Sequence, residues 1–240
     1  MIYITGDTHG KFEYRFKNLP LSKNDMIIIL GDAGINYYLD ERDRILKEKL
    51  SKYSFKIFSI QGNHEERPEN ISTYIKTTMF GGDVFMEEEY PNLVFAKNGE
   101  LYNFNGKSVL VIGGAFSVDK YHRLKYKLPY FKDEQLSKKE QKYILKKHTN
   151  TSIDTILSHT CPLKYIPTEA FIGGIDQNKV DNSMEKFLDL VEENISYNKW
   201  YCGHYHIGKS VDNLEFIYTR IKDFETDEFI STDKVKILKK

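Results

Sequence analysis

Cysteine is scarce: Cys161 and Cys202 are the only two in 240 residues, and neither sits in a CxxC pair. A disulfide framework is thereby excluded, and a reducing compartment is the simpler expectation. Surplus charge is absent as well. The 35 Lys and Arg balance the 35 Asp and Glu, so no whole-molecule field draws the chain toward nucleic acid or anionic membrane, and any such partner has to be met locally. No apolar run approaches the length of a membrane span, and the first ends at Asp7, too soon for a signal peptide. These absences predict a cytoplasmic protein without a membrane partner. No repeat, low-complexity block or Pro/Gly-rich linker divides the chain, so one domain over residues 1–240 is expected, long enough to bury a sizeable core.

What the chain does contain is short β-rich runs alternating with amphipathic segments. Strands are expected at 2–5, 26–30, 55–60, 93–96, 108–112, 153–157, 199–202 and 215–219. Helices are expected at 40–53, 133–148 and 181–193, the last two opening on acidic caps, and the final "KVKILKK" reads as an edge strand or a basic tail. The alternation argues a layered α/β domain.

Five of the strands end alike. They run into "GDTHG" (6–10), "GDAG" (31–34), "QGNHE" (61–65), "SHTCP" (158–162) and "GHYH" (203–206). One such glycine turn is an ordinary cap, but strand carboxyl ends in an α/β sheet share a crevice, and five of the seven histidines lie in these loops. Carboxylate and amide oxygens mixed with imidazoles suit transition metals rather than Ca²⁺. Asp7, His9, Asp32, Asn63, His159, His204 and His206 are too many ligands for one ion with an open position, whereas two ions bridged by one carboxylate would use them all.

In this order the five motifs resemble the signature of the calcineurin-like metallophosphoesterases: D-x-H, GD, GNH[DE], a lone His and GHxH. The resemblance implies a four-layer α/β/β/α sandwich of two mixed sheets flanked by helices. It also implies two divalent transition-metal ions, Mn foremost, with Fe, Zn, Ni or Co as the others. Asp7, His9, Asp32 and His206 would hold one ion; Asp32 would bridge to a second held by Asn63, His159 and His204. His64 matches the family's non-ligand histidine, which helps the leaving oxygen depart. The implied enzyme is a phosphoesterase using a metal-bridging hydroxide, a phosphomonoesterase first, a phosphodiesterase or nuclease-like enzyme on a nucleotide second, with a non-catalytic binding module behind both. In the protein-phosphatase branch GDxxDRG supplies a carboxylate that orients the histidine, but here Ile35 and Asn36 stand in those places. "GGAFSVDKYHR", "FKDEQLS" and "VDNSMEKFLDLV" are closer to bacterial and prophage-type members.

A basic helical insertion is expected at about 119–150. From Lys120 to His148 ten Lys and Arg face three acidic residues, with Tyr121, Tyr126, Tyr130 and Phe131 interleaved. Such a segment is either a solvated helix face or a contact for a nucleotide or nucleic acid. Lys120, Arg123 and Arg67 are the candidate contacts to a phosphorylated substrate. His122 and His148 read as surface side chains, Trp200 as core, and both cysteines as small buried hydrophobes.

Overall fold

The computed structural model describes all residues except 17, 18, 20 and 231–240, so the expected final strand or tail lies outside the described residues. One mixed sheet has the order β13-β1-β2-β3-β6-β5-β4. Its centre is parallel: β1 (Ile2–Thr5), β2 (Met26–Ile29), β3 (Lys56–Ser59) and β6 (Leu93–Ala96). Antiparallel strands β4 (Ile75–Met79), β5 (Gly82–Met86) and β13 (Ile221–Asp223) complete it. Every residue of β1, β2 and β6 is buried, as expected of parallel strands covered on both faces.

The second mixed sheet has the order β11-β12-β10-β9-β8-β7. Strands β8 (Lys107–Ile112), β9 (Ser152–Ser158), β10 (Ser196–Cys202) and β12 (Leu214–Phe216) are parallel. β7 (Leu101–Phe104) and β11 (Lys209–Val211) pair antiparallel at the edges.

The alternation of side chains decides the layering. Ile4, Ile28, Phe58 and Val94 meet Val109, Val111, Leu157 and Tyr201 between the sheets. On the far side of the first sheet Ile27, Ile29 and Ile57 pack with Phe12 and Phe16 beside α1 (Glu13–Phe16) and with Leu50 of α2 (Glu41–Leu50). On the far side of the second, Leu110, Ile112 and Ile156 pack with Ile144 of α4 (Lys138–His148) and with Phe187, Leu188 and Val191 of α5 (Ser183–Asn194). Two mixed sheets with flanking helices result, as the sequence implied. Cys161, Cys202 and Trp200 are buried in this last layer.

Three differences from the sequence reading have physical causes. α4 begins at Lys138 and not near Asp133, because Ser137 and Glu140 form a capping box that satisfies two orphan N–H groups there. In the β4–β5 hairpin and in the β7 strand of the β7–β8 hairpin polar residues interleave with apolar ones, so these strands carry weak runs, whereas β8 is the strand expected at 108–112. An Asn105-Gly106 turn with both φ values positive (52° and 89°) nevertheless marks the second. His148 is not a surface residue: it is 1% exposed, and its Nε2 lies 2.8 Å from the Gly99 carbonyl. The expected basic stretch holds two helices, α3 (Lys120–Tyr126) and α4.

Candidate active site

The carboxyl ends of β1, β2 and β3 carry Asp7, Asp32 and Asn63, and those of β9 and β10 carry His159, His204 and His206. The two sheets therefore supply one cluster from opposite sides. Close approach demands glycine at two positions. A Cβ on Gly62 would stand 2.0 Å from Asp32 Oδ1 and 2.2 Å from the Asp32 nitrogen; one on Gly31, where φ is +88°, would stand 2.1 Å from His159 Nδ1. His9, Asp32, His204 and His206 themselves adopt φ of 46°, 48°, 65° and 54°. Left-handed non-glycine residues are costly, and four together mark a site whose geometry the surrounding fold imposes.

All seven expected ligand-type side chains are brought together. His159 Nε2 lies 2.8 Å and His204 Nδ1 3.1 Å from Asn63 Oδ1. His9 Nε2 lies 3.0 Å from His206 Nε2. Asp32 joins the halves, with Oδ1 3.5 Å from His159 Nε2 and Oδ2 3.9 Å from His9 Nε2. Asp7 Oδ2 lies 3.6 Å from His206 Nε2, and Asp7 Oδ1 lies 3.4 Å from His159 Nδ1. Two groups with metal-binding spacing share Asp32: Asp7, Asp32 and His159, and His9, Asp32 and His64.

Supporting contacts fix these groups. The His159 ring faces the Leu30 carbonyl through Nδ1 (2.7 Å), leaving Nε2 toward the cluster. Asn63 donates from Nδ2 to Ser117 Oγ (2.9 Å), which turns its oxygen to the same point. Arg15 donates to the Asp7 and Gly6 carbonyls, and the His204 N–H donates to the Asp7 carboxylate. Burial pushes Asp7 well above the usual carboxylate range, with Asp32 adding to it. Burial acts the same way on Asp32, but His64, His159 and His9 outweigh it and hold that carboxyl low. Burial also lowers His9, to about 4, and His159, His204 and His206. Metal ligation needs neutral imidazoles and ionised carboxylates; the lowered histidines and Asp32 lean that way, whereas Asp7 would give up a proton as a cation enters.

A model of the calcineurin-like phosphoesterase family matches residues 1–208 of the chain. The chain belongs to this family. No curated protein matches the chain. For a calcineurin-like phosphoesterase the cluster has its meaning: metal-dependent hydrolysis of a phosphoester, with ligand-type side chains from both sheets gathered at one point. Among the described residues no helix is long and apolar enough to cross a membrane.

His64 lies at the edge of the cluster, and its backbone N–H donates to Asp32 Oδ1 (2.8 Å), while ring Nδ1 stands 3.8 Å from Asp32 Oδ2. The positions that lack the orienting pair are core: Ile35 is buried and Asn36 accepts from the Tyr74 hydroxyl. Asp119 stands near the ring instead, its Oδ1 3.7 Å from His64 Nε2. Arg123 donates from Nε to both Asp119 oxygens (2.8 Å each) and from Nη1 to Tyr37 and the Pro129 carbonyl. Its Nη2 lies 3.0 and 3.1 Å from the two His64 ring nitrogens. Burial works against the His64 cation, but Asp32 and Asp119 win and raise its pKa.

Of the three expected substrate contacts, Arg123 thus stands against His64, while Arg67 and Lys120 are engaged elsewhere. Arg67 is tied to Glu140 and to the Asp133 and Gln135 carbonyls. The Lys120 ammonium lies over the Phe116 and Tyr130 rings, 5.5 and 5.1 Å from their centres. A cavity of about 400 Å³ opens over Asp32, Asn63, His64, His204 and His206, and none of the basic side chains of 120–148 lines it. Asp119 does. The sequence marks Asp119 only as the end of "GGAFSVD", directly ahead of Lys120 and Arg123, and no spacing signal ties it to His64.

Proposed function

We propose that this calcineurin-like phosphoesterase is a dinuclear phosphomonoesterase in which His64 acts on the leaving oxygen. The observation that carries the reading is the gathering of seven ligand-type side chains in one cluster, with Asp32 common to both metal-spaced groups and Asn63, His204 and His206 joined to it through His159 and His9. Asp7, His9, Asp32 and His206 would hold one ion, and Asp32, Asn63, His159 and His204 the other. Mn is the first choice, with Fe, Zn, Ni or Co as alternatives, since the donor set mixes oxygen and imidazole. When bound, the ions supply an activated water and neutralise charge on the phosphoryl oxygens.

His64 is left outside the ligand set for a physical reason. A guanidinium 3.0 Å from one ring nitrogen and 3.1 Å from the other occupies the space and carries the wrong charge for a second cation there. The ring is free to give a proton to the ester oxygen as the P–O bond breaks, releasing the alcohol and leaving phosphate behind. Asp119 takes over the orienting duty that Ile35 leaves vacant, acting on His64 directly and through Arg123. A nucleotide-directed diesterase has less support, because the basic stretch offers no side chain to the cavity.

The test uses protein loaded with excess Mn²⁺. Elemental analysis should approach two ions per chain, and Asp32→Asn should lower occupancy at both sites. His64→Ala should keep both ions yet lower kcat for alkyl phosphates by roughly 10²–10⁴-fold, with a smaller loss for an activated aryl phosphate. Loss of a metal on His64→Ala, or no loss of rate with any leaving group, refutes the assignment.

A further inference from the structure

The cavity over the cluster has a floor and a wall of opposite character. Its floor is polar, formed by the ligand-type groups and His64. Its wall is built from Phe116 and Val118 after β8, Ile207 after β10, and Ile166, Phe171 and Ile175 from the segment between β9 and α5. That segment is two short turns, Thr168–Ala170 and Gln177–Lys179, joined through Gly173-Gly174, and it carries Phe171 and Ile172 39% and 65% exposed. Large apolar side chains held this far in water beside a polar floor are unusual unless something covers them.

Charge decides what that something is. No Lys or Arg lines the cavity among the described residues; of its carboxyls Asp32 is a ligand-type group, Asp119 is paired to Arg123 and Glu185 is buried. Glu185 accepts from Thr160 Oγ1 (2.8 Å) and has no partner for its other oxygen. Beyond the metal floor, a second phosphate or a carboxylate on the substrate would meet apolar carbon and the Asp119 carboxylate, while Lys179 lines the adjoining cavity and not this one. A sugar would leave its hydroxyls against the isoleucines. We infer that the substrate is a phosphomonoester of an apolar, uncharged alcohol, aromatic or branched aliphatic, whose organic group is covered by the 166–180 segment. This rests on the phosphomonoesterase reading and narrows it. Nucleoside polyphosphates, phosphorylated sugars and nucleic acid are thereby poor substrates.

Binding separates the inference from catalysis. Calorimetry on Mn-loaded protein compares methylphosphonate with 2-naphthylmethylphosphonate, neither of which is hydrolysed. Burying several ring carbons against the wall should tighten the naphthyl compound by about 30-fold or more, with a negative heat-capacity change. Ile172→Asn combined with Ile175→Asn, which adds polarity without charge, should abolish the difference by weakening the naphthyl compound, with metal content kept, since both positions are at least partly exposed and tolerate a polar side chain. Ile175→Leu should retain the preference. Turnover should then rank 2-(2-naphthyl)ethyl phosphate, an alkyl ester like the other two, above adenosine monophosphate and glucose 6-phosphate in kcat/KM. Equal phosphonate affinities, survival of the preference in the double variant, or a higher kcat/KM for the nucleotide or sugar overturns the inference. Two bound ions and a clear phosphonate preference without hydrolysis of any ester would instead overturn the phosphomonoesterase reading and leave the apolar wall standing.

Discussion

Replacing Asp119 by Asn removes one charge and almost no volume, and its effect is calculable from three contacts. Arg123 keeps its bonds to Tyr37 and the Pro129 carbonyl, so its guanidinium stays 3.0 Å from His64 but loses the counter-charge held at 2.8 Å. Two unit charges about 4 Å apart interact by about 4 kcal/mol at an effective dielectric of ~20. Solvent reduces this here, because the Asp119 side chain is 37% exposed. Loss of the carboxylate also frees the ring orientation. We expect kcat for an alkyl phosphate to fall about 10- to 100-fold, or about 1.4–2.8 kcal/mol, with KM little changed. The ceiling is the loss on His64→Ala, since a group that acts through the histidine cannot matter more than the histidine does. Adding Arg123→Gln should restore part of the rate, because it removes the cation that Asp119→Asn left unbalanced. Steady-state kinetics on alkyl and activated aryl phosphates, with metal content and melting temperature as controls, make the double-mutant cycle. Additive losses, or an equal loss on both leaving-group classes, would refute the coupling of Asp119 to His64.

Gly62→Ala should cost about 3 kcal/mol or more and lower metal occupancy, because its Cβ would overlap Asp32 at both Oδ1 and the backbone nitrogen; chemical denaturation with elemental analysis measures both. Glu185, pushed up to about 7 by burial, gives the fold a pH dependence. The folded state holds its proton more tightly than the unfolded state, so stability falls as pH rises from about 4.5 through 7 and levels off above that. The span of about 2.5 units sets an upper bound of about 3 kcal/mol, and Glu185→Gln, which still accepts from Thr160, should flatten that part of the melting-temperature profile.

The cluster was legible because each of its loops follows an apolar run that stops at Gly or Ser and then presents Asp, Asn or His. Local pattern and site coincide there. His148 shows a signal available but unused: with Gln141 and Ile144 it repeats at helical spacing, and all three are buried on one face of α4. The pairing of Asp119 with His64 left no such trace. It depends on α3 turning Arg123 back to a loop about sixty residues earlier, a contact of the tertiary fold alone. The apolar wall was hidden for a related reason: residues 166–180 have no period, and only their packing over the strand ends shows what they face. Conversely, the excess of Lys and Arg in 120–148 was plain in the sequence, yet it says nothing of direction: none of those side chains lines the cavity, and Arg123 alone of the expected contacts reaches its edge, against His64.

Because Asp7, His9, Asp32 and Asn63 come from one sheet and His159, His204 and His206 from the other, cations bound among them act as a clasp between two halves of the core. Without such ions two buried carboxyls and four left-handed residues are held together only by packing and the surrounding hydrogen bonds. Folding and metal binding are then thermodynamically linked: free metal at a thousand times its dissociation constant adds about 4 kcal/mol to the unfolding free energy for each site. A chelator should therefore lower the melting temperature of the entire domain in one transition, and a chain newly made in a metal-starved cell would be both inactive and the more readily unfolded.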